Sequence, residues 1–383
     1  TKKAYTPTLL VTYGGPWAEN YYYATENVNK DEKLNYFTPK TRELLGEKND
    51  RLKRNPFYRY QDNNKYLLVI PPDSGPGNQM VSIKESLIIA HYLNRKAIIP
   101  NICDHYIKDK KGDSFFKFKD VFKINLKNVE LLDDLKLDPI KKAYSVNHGY
   151  YMKVLKHEKN LVYADDFNEE LVNCRRFHEV EHFNELKQKD DKLLVLKHLF
   201  NNLCINECGI NGCSECIMNN HFIDVYKNIC ANLDYSDFIK QKANDYINQH
   251  DLTDFIAIHI RYPDFMCEKS LMEWTHLYDE EVLYNMLKNM YGEDKKIFIA
   301  TNNKNSIKSS LLGKFNIFDE DIPYASFIEQ YICCLSDEFI MSIYNDFTKI
   351  NQRHQRSTWG SFVQDYRMYL LNNYNNQYIN DLV

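Results

Sequence analysis

The chain has 383 residues, 44% of them hydrophobic and 27% charged, which suits two ordinary globular domains better than one core. A formal net charge of -4 gives no electrostatic footprint for nucleic acid. No apolar run reaches the roughly 18 residues that a membrane span needs.

In chain order, residues 1–63 open with the apolar run Thr8–Tyr13 and the turn Gly14-Gly15-Pro16, then turn polar. They are expected to form an N-terminal extension packed on the first domain. Tyr66-Leu67-Leu68-Val69-Ile70 is continuously apolar, as a strand buried on both faces must be. Pro71-Pro72 stops it, and Asp73-Ser74-Gly75-Pro76-Gly77 supplies a glycine-rich turn. Met80, Ile83, Leu87, Ala90 and Leu93 recur at helical spacing, and Lys96–Pro100 reads as the next strand. Strand, turn, helix and strand make a βαβ unit of a parallel sheet.

From about 125 to 250 the patterns read as helical, with Leu193–Phe200 and Phe222–Ile247 as examples. A second α/β region starts near Asp251, with strands Phe255–Ile260 and Lys296–Ala300 around a helix at Glu280–Tyr291. The expected fold is therefore α/β, two doubly wound Rossmann-like domains facing a cleft. Residues 64–248, with a helical and cysteine-rich insert, form the first, and residues 249–383 the second.

The insert holds Cys204, Cys208, Cys213 and Cys216, with Gly209 and Gly212 permitting tight turns between them. A structural zinc and a pair of disulfides fit this spacing equally well, and neither is catalytic. Free thiols are the third reading. Cys103, Cys230, Cys333 and Cys334 lie in apolar contexts and read as core. The sequence contains no Asn-x-Ser/Thr acceptor and no visible signal peptide, which favours the cytosol over a secretory lumen.

Two motifs lie where ligands bind in open α/β sheets, beyond strand carboxyl ends. Ser74-Gly75-Pro76-Gly77-Asn78-Gln79 lacks the spacing of a dinucleotide fingerprint and the Lys-Ser/Thr of a P-loop. It remains either a plain turn or a helix N-terminus able to meet an anionic ligand. His259-x-Arg261-x-x-Asp264-Phe265 follows a buried strand, where a cation is costly unless paired. The planar fork of Arg261 matches a diphosphate, and a fixed cation there would stabilise a departing nucleotide. The competing reading is an Arg261–Asp264 salt bridge beside a satisfied His259.

These segments together resemble the GDP-fucose protein O-fucosyltransferases. The ordered set is Gly75–Gln79, Leu93-Asn94-Arg95-Lys96-Ala97-Ile98-Ile99-Pro100, His259-Ile260-Arg261-Tyr262-Pro263-Asp264-Phe265, Ile297–Thr301 and Arg356-Ser357-Thr358-Trp359-Gly360-Ser361-Phe362-Val363. The resemblance implies a GT-B fold and an inverting transfer of fucose from GDP-fucose to a protein or glycan hydroxyl, with no metal or cofactor required. It places Arg261 at the β-phosphate, Asn78 at the diphosphate with Gly75 and Gly77 in its loop, and Asp73 as general base. His259, Asp264, Phe265 and Thr301 would shape the donor pocket, with Ser357, Thr358 and Trp359 on phosphate and base. Asn345 and Asp346 precede that last segment and would contribute from there. Pro76-Gly77 stands where the family often has Gly-Arg, and Trp359-Gly360 where it has Phe-Ser. These departures leave open a transferase using another UDP- or GDP-linked sugar, or a catalytically silent glycan-binding relative.

Overall fold

The structure is a computed structural model. It describes residues 64–72, 75–103, 115–146, 161–172, 185–197, 199, 220–260, 280–301, 313–320, 322–341, 343–346, 353–356, 358–373 and 375–378. The N-terminal extension expected over residues 1–63 lies outside the described residues, as do Cys204, Cys208, Cys213 and Cys216. The described residues fall into two compact units, one ending at Phe238 and the other resuming at Ile239.

The first unit is built on a sheet of six strands: β1 (Tyr66–Ile70), β2 (Lys96–Ile99), β3 (Val129–Leu131), β4 (Ile140–Val146), β5 (Tyr163–Val172) and β6 (Leu193–Lys197). Their order is β3-β2-β1-β6-β4-β5, and every pairing is parallel. Leu68, Ile70, Ile98, Ala143 and Val195 make one buried face of this sheet with Leu132 and Ile140.

The helical reading of Leu193–Phe200 is corrected here, because Leu193–Lys197 is the strand between β1 and β4. A strand flanked on both sides and buried on both faces is apolar at every position, so it shows no period of two. A run that short cannot be told from a buried helix by pattern alone. The strands β3, β4 and β5 likewise fall within residues read as helical. The helices α2 (Asn220–Ala231) and α3 (Asp237–Gln249) do stand there, separated by the short strand Leu233–Tyr235.

Helix α1 (Pro76–Leu93) links β1 to β2. Pro76 occupies its first turn, where a missing N–H costs nothing. Asn94 closes it in the left-handed region at φ 52°, and the Arg95 N–H returns to the Ala90 carbonyl at 2.9 Å. Every residue from Met80 to Ala90 is buried. Complete burial of a side chain such as Leu87 contributes about 1.5–3 kcal/mol.

The second unit has a five-stranded sheet: β7 (Ile256–Ile260), β8 (Ile297–Thr301), β9 (Asn316–Ile317), β10 (Glu338–Met341) and a last strand, β13 (Asn376–Tyr378). Its order is β9-β8-β7-β10-β13, again wholly parallel. Between β10 and β13 the chain forms an antiparallel hairpin of β11 (Ile343–Asp346) and β12 (Arg353–Arg356). Helix α4 (Glu280–Tyr291) packs Leu287 on Ile256, Ile258, Ile260, Ile297 and Ile299. On the alternate face, Tyr246 of α3 meets the Phe298 ring edge-on at 5.9 Å between centroids. Helices thus cover both faces, as in a doubly wound sheet. Helix α5 (Ala325–Leu335) and helix α6 (Thr358–Tyr369) complete the unit.

At the amino edge of each sheet a buried arginine collects backbone carbonyls. Arg95, 3% exposed, donates to the carbonyls of Tyr66, Lys189 and Asp191. Arg367, 0% exposed, donates to the carbonyls of Cys333, Cys334, Ser336, Asp337 and Asn375 and to the Asn376 side chain. Its carbonyl partners include the end of α5, where a cation also meets the favourable end of the helix dipole. Burial pulls the Arg367 guanidinium down to about 10, so it stays charged at neutral pH. Cys103, Cys230, Cys333 and Cys334 are buried free thiols, as their apolar contexts suggested.

Candidate functional site

Strand order reverses between β7 and β10 in the second sheet; in the first, β1 continues to β2 and β3 on one side while β6, β4 and β5 lie on the other, so the division falls between β1 and β6. Chain connections leave such a switch point in opposite directions, opening a crevice outside the carboxyl ends.

In the second unit, the switch point is where His259 pairs in register with Met341. The first residues of α6 arrive at the same spot. The Trp359 indole lies against the His259 imidazole, with ring centroids 4.4 Å apart and planes 22° apart. Gly360 permits that approach. A Cβ there would lie 2.2 Å from Met341 Sδ and 3.3 Å from His259 Nδ1. His259 is 4% exposed while Trp359 keeps part of its surface. The indole is pinned from α5, since its Nε1–H donates to Ser326 Oγ at 2.9 Å. One helical turn along α5, Gln330 Nε2 donates to the Trp359 carbonyl at 3.2 Å.

Thr301, 7% exposed, ends β8 opposite Ile260, one strand away from this stack. Thr358 and Trp359 open α6. The early backbone N–H groups of that helix lack intrahelical acceptors, which is the usual reason a helix start receives an anion. Asn345 and Asp346 fall on β11, in register with His354 and Arg353 of β12. Arg261, Asp264, Phe265 and Ser357 lie outside the described residues, although Arg261 follows the last residue of β7 directly in sequence.

In the first unit, the last residue of β1, Ile70, pairs with the last residue of β6, Lys197, and Lys197 also pairs with Ser145 of β4. The Lys197 ammonium bonds one oxygen of Glu169, and the Ser145 hydroxyl donates to the other. Lys197 also sits 5.7 Å from the centroid of the Phe167 ring. Its side chain is 15% exposed and that of Glu169 35%. Beside these, Gly75 caps α1 and accepts the Asn78 N–H at 2.9 Å, while Gly77 is buried and Asn78 half-buried. Gln79 makes two bonds to the Cys103 backbone, at 3.0 and 2.8 Å, which fix the first turn of α1. Asp73 lies outside the described residues.

Among the described residues no group of three or more His, Cys, Asp or Glu is placed to hold a metal ion, and no helix is long and apolar enough to cross a membrane.

The structure therefore brings His259 and Trp359 together and sets Thr301 nearby, with Asn78 at its own sheet edge. Sequence reasoning missed Ser326, Gln330 and Met341 around the His259–Trp359 stack. Gly360 was noted only as a departure, and its value is the contact it leaves room for. Ser145, Glu169 and Lys197 were missed because β4, β5 and β6 were read as helical. Their usable signal was a charged residue ending an apolar run, Leu193–Leu196 followed by Lys197.

Comparison with known proteins bears on this geometry. Crystal structures of POFUT1 in complex with GDP-fucose and with GDP superpose with TM-scores of 0.55 and 0.53 at 13% identity, covering 83% of this chain and 99% of that chain. At that identity they show the fold alone. The fucosyltransferase NodZ from Bradyrhizobium aligns at a TM-score of 0.44 and 12% identity, over 80% of this chain and 94% of that one, too loosely to carry an argument. No curated protein matches the sequence. The profile of the GDP-fucose protein O-fucosyltransferases matches residues 66–358, from the first residue of β1 to the first of α6. With well over half of its length inside that match, the chain belongs to the GDP-fucose protein O-fucosyltransferase family.

Proposed function

We propose that this protein transfers fucose from GDP-fucose to a hydroxyl of a protein or glycan acceptor, with inversion at the anomeric carbon. The observation that carries the donor half is the convergence of His259, Trp359 and Gly360 at the β7–β10 switch point, one step before Arg261. An aromatic ring, a helix start and a following arginine suit a base, a diphosphate and a leaving-group charge in turn.

In the proposed step the acceptor oxygen bonds to the anomeric carbon as the carbon–phosphate oxygen bond breaks on the opposite face. Asp73 takes the hydroxyl proton, and Arg261 holds the negative charge that gathers on the β-phosphate of GDP. Asn78 meets the diphosphate from its own loop. Arg261 supplies the charge that a divalent ion would otherwise bring, so the reaction is expected to proceed in chelator.

The acceptor half is proposed for the first switch point. A hydroxyl is donor and acceptor at once, and the Glu169 carboxylate with the Lys197 ammonium offers the matching pair. Lys197 pairs with Ile70 at the end of β1, from which the chain runs through Pro71-Pro72 to Asp73.

Calorimetric titration with GDP and UDP, followed by a transfer assay with labelled GDP-fucose, tests this reading. Tight GDP binding, weak UDP binding and label passing to an acceptor are expected. Preference for UDP would point to another donor, and no response to either nucleotide would overturn the enzymatic reading.

A further inference from the structure

Trp359 is held by two groups on α5, one on its indole and one on its backbone, and α5 supplies none of the motif residues. Its Nε1–H has Ser326 Oγ as acceptor at 2.9 Å, and its carbonyl takes a bond from the Gln330 amide at 3.2 Å. Ser326 and Gln330 lie four residues apart, so both project from one side of α5. Gln330 is 3% exposed, so this bond is made away from solvent. The third constraint is the His259 ring, stacked at 4.4 Å. The fourth is the missing Cβ of Gly360, without which Met341 would have to move.

An indole held only by packing can rotate about its two side-chain torsions. One whose N–H is also spoken for has a defined ring plane and a defined edge. With one face against His259, the orientation of the ring decides what its remaining partly exposed surface offers a ligand. We propose that Ser326 and Gln330 are positioning residues of the donor site, setting the Trp359 ring as the platform for the nucleobase. They act through Trp359 and His259 and touch neither sugar nor phosphate. The proposal deepens the donor reading above and rests on it.

The consequence is selective. Loosening Trp359 weakens recognition of the base and leaves recognition of the diphosphate alone. The test measures the affinity of wild type, Ser326→Ala, Ser326→Thr and Gln330→Met for GDP, and for inorganic pyrophosphate by displacement of a fluorescent GDP analogue. Unliganded melting temperatures are recorded in parallel. Ser326→Ala is expected to bind GDP about 3- to 10-fold more weakly, the range of one lost neutral hydrogen bond. Ser326→Thr, which keeps a hydroxyl acceptor, is expected to bind GDP almost as wild type does, and Gln330→Met to follow Ser326→Ala. Pyrophosphate affinity and melting temperature are expected to hold in all of them. Unchanged GDP affinity in Ser326→Ala overturns the proposal. So does an equal loss for GDP and pyrophosphate together with a falling melting temperature, which marks a merely structural bond. A wild type that ignores GDP would instead bring down the donor assignment, and is told apart by that alone.

Discussion

Each sheet has two edges, and the molecule treats them differently. At the amino edges a buried arginine is saturated by carbonyls, Arg95 in the first unit and Arg367 in the second. At the carboxyl edges, among the described residues, polar groups that keep some exposure stand at or beside the switch points: Lys197 with Glu169 in one unit, Trp359 on the buried His259 in the other. A cation whose donors go mostly to backbone carbonyls is spent on holding loops and strand starts together. Groups at the opposite edge keep surface for something else. Both kinds of site hold charged or polar side chains, so exposure and partner type separate them better than the presence of charge does.

The largest effect is expected where a saturated arginine is removed. Arg367→Met leaves at least five carbonyls of the second unit without their donor, and a loss of about 3–5 kcal/mol is expected. Chemical denaturation reads it directly. A loss below about 1 kcal/mol would show that the amino edge is not the structural one, since that is the scale of a single neutral bond.

Next comes Arg261→Ala, whose effect belongs to chemistry rather than stability. The turnover of fucose transfer is expected to fall by about 10²–10³, the measure of a lost charge stabiliser in a transition state. The melting temperature is expected to stay near that of wild type. Comparable turnover in the variant would remove Arg261 from its assigned role.

Gly360→Ala then probes the join between the two kinds of region. The new methyl would lie 2.2 Å from Met341 Sδ, 2.8 Å from its Cγ and 3.3 Å from the His259 ring. Overpacking of this type costs about 1–3 kcal/mol. The stability loss is expected to be accompanied by weaker GDP binding, because the displaced neighbours are those that carry Trp359. Stability lost with GDP affinity intact would separate the stack from the donor site.

The parts of this architecture that could be read from residues were those with a local cause. Tyr66–Ile70, Pro71-Pro72 and the spacing from Met80 to Leu93 state a strand, a stop and a helix without reference to anything distant, and the structure has β1 and α1 there. Ile256–Ile260 and Ile297–Thr301 were legible for the same reason. Leu193–Lys197 was not, because what makes it a strand is the pair of neighbours from β1 and β4, whose paired residues lie 127 and 52 positions away in sequence. The proposed donor site followed the same rule. His259 and Trp359 could be named from their motifs, but the stack between them depends on Gly360 being small and on Ser326 reaching across from α5. No spacing in the sequence encodes that meeting.

The smallest effect is expected at the carboxyl edge of the first sheet, and it decides whether that edge belongs with the second one. Lys197→Met keeps the length and apolar stem of the side chain while removing the ammonium from Glu169. A partly exposed ion pair contributes about 0.2–1 kcal/mol, so little change in stability is expected. If the pair meets an acceptor hydroxyl, the KM for the acceptor is expected to rise about 3- to 10-fold, as one lost hydrogen bond would cause, with GDP affinity unchanged. Raised salt should move wild type part of the way toward the variant, because screening weakens an exposed pair. An acceptor KM that ignores both the substitution and the salt would return Lys197 and Glu169 to the structural class, alongside Arg95 at the other end of the same strands.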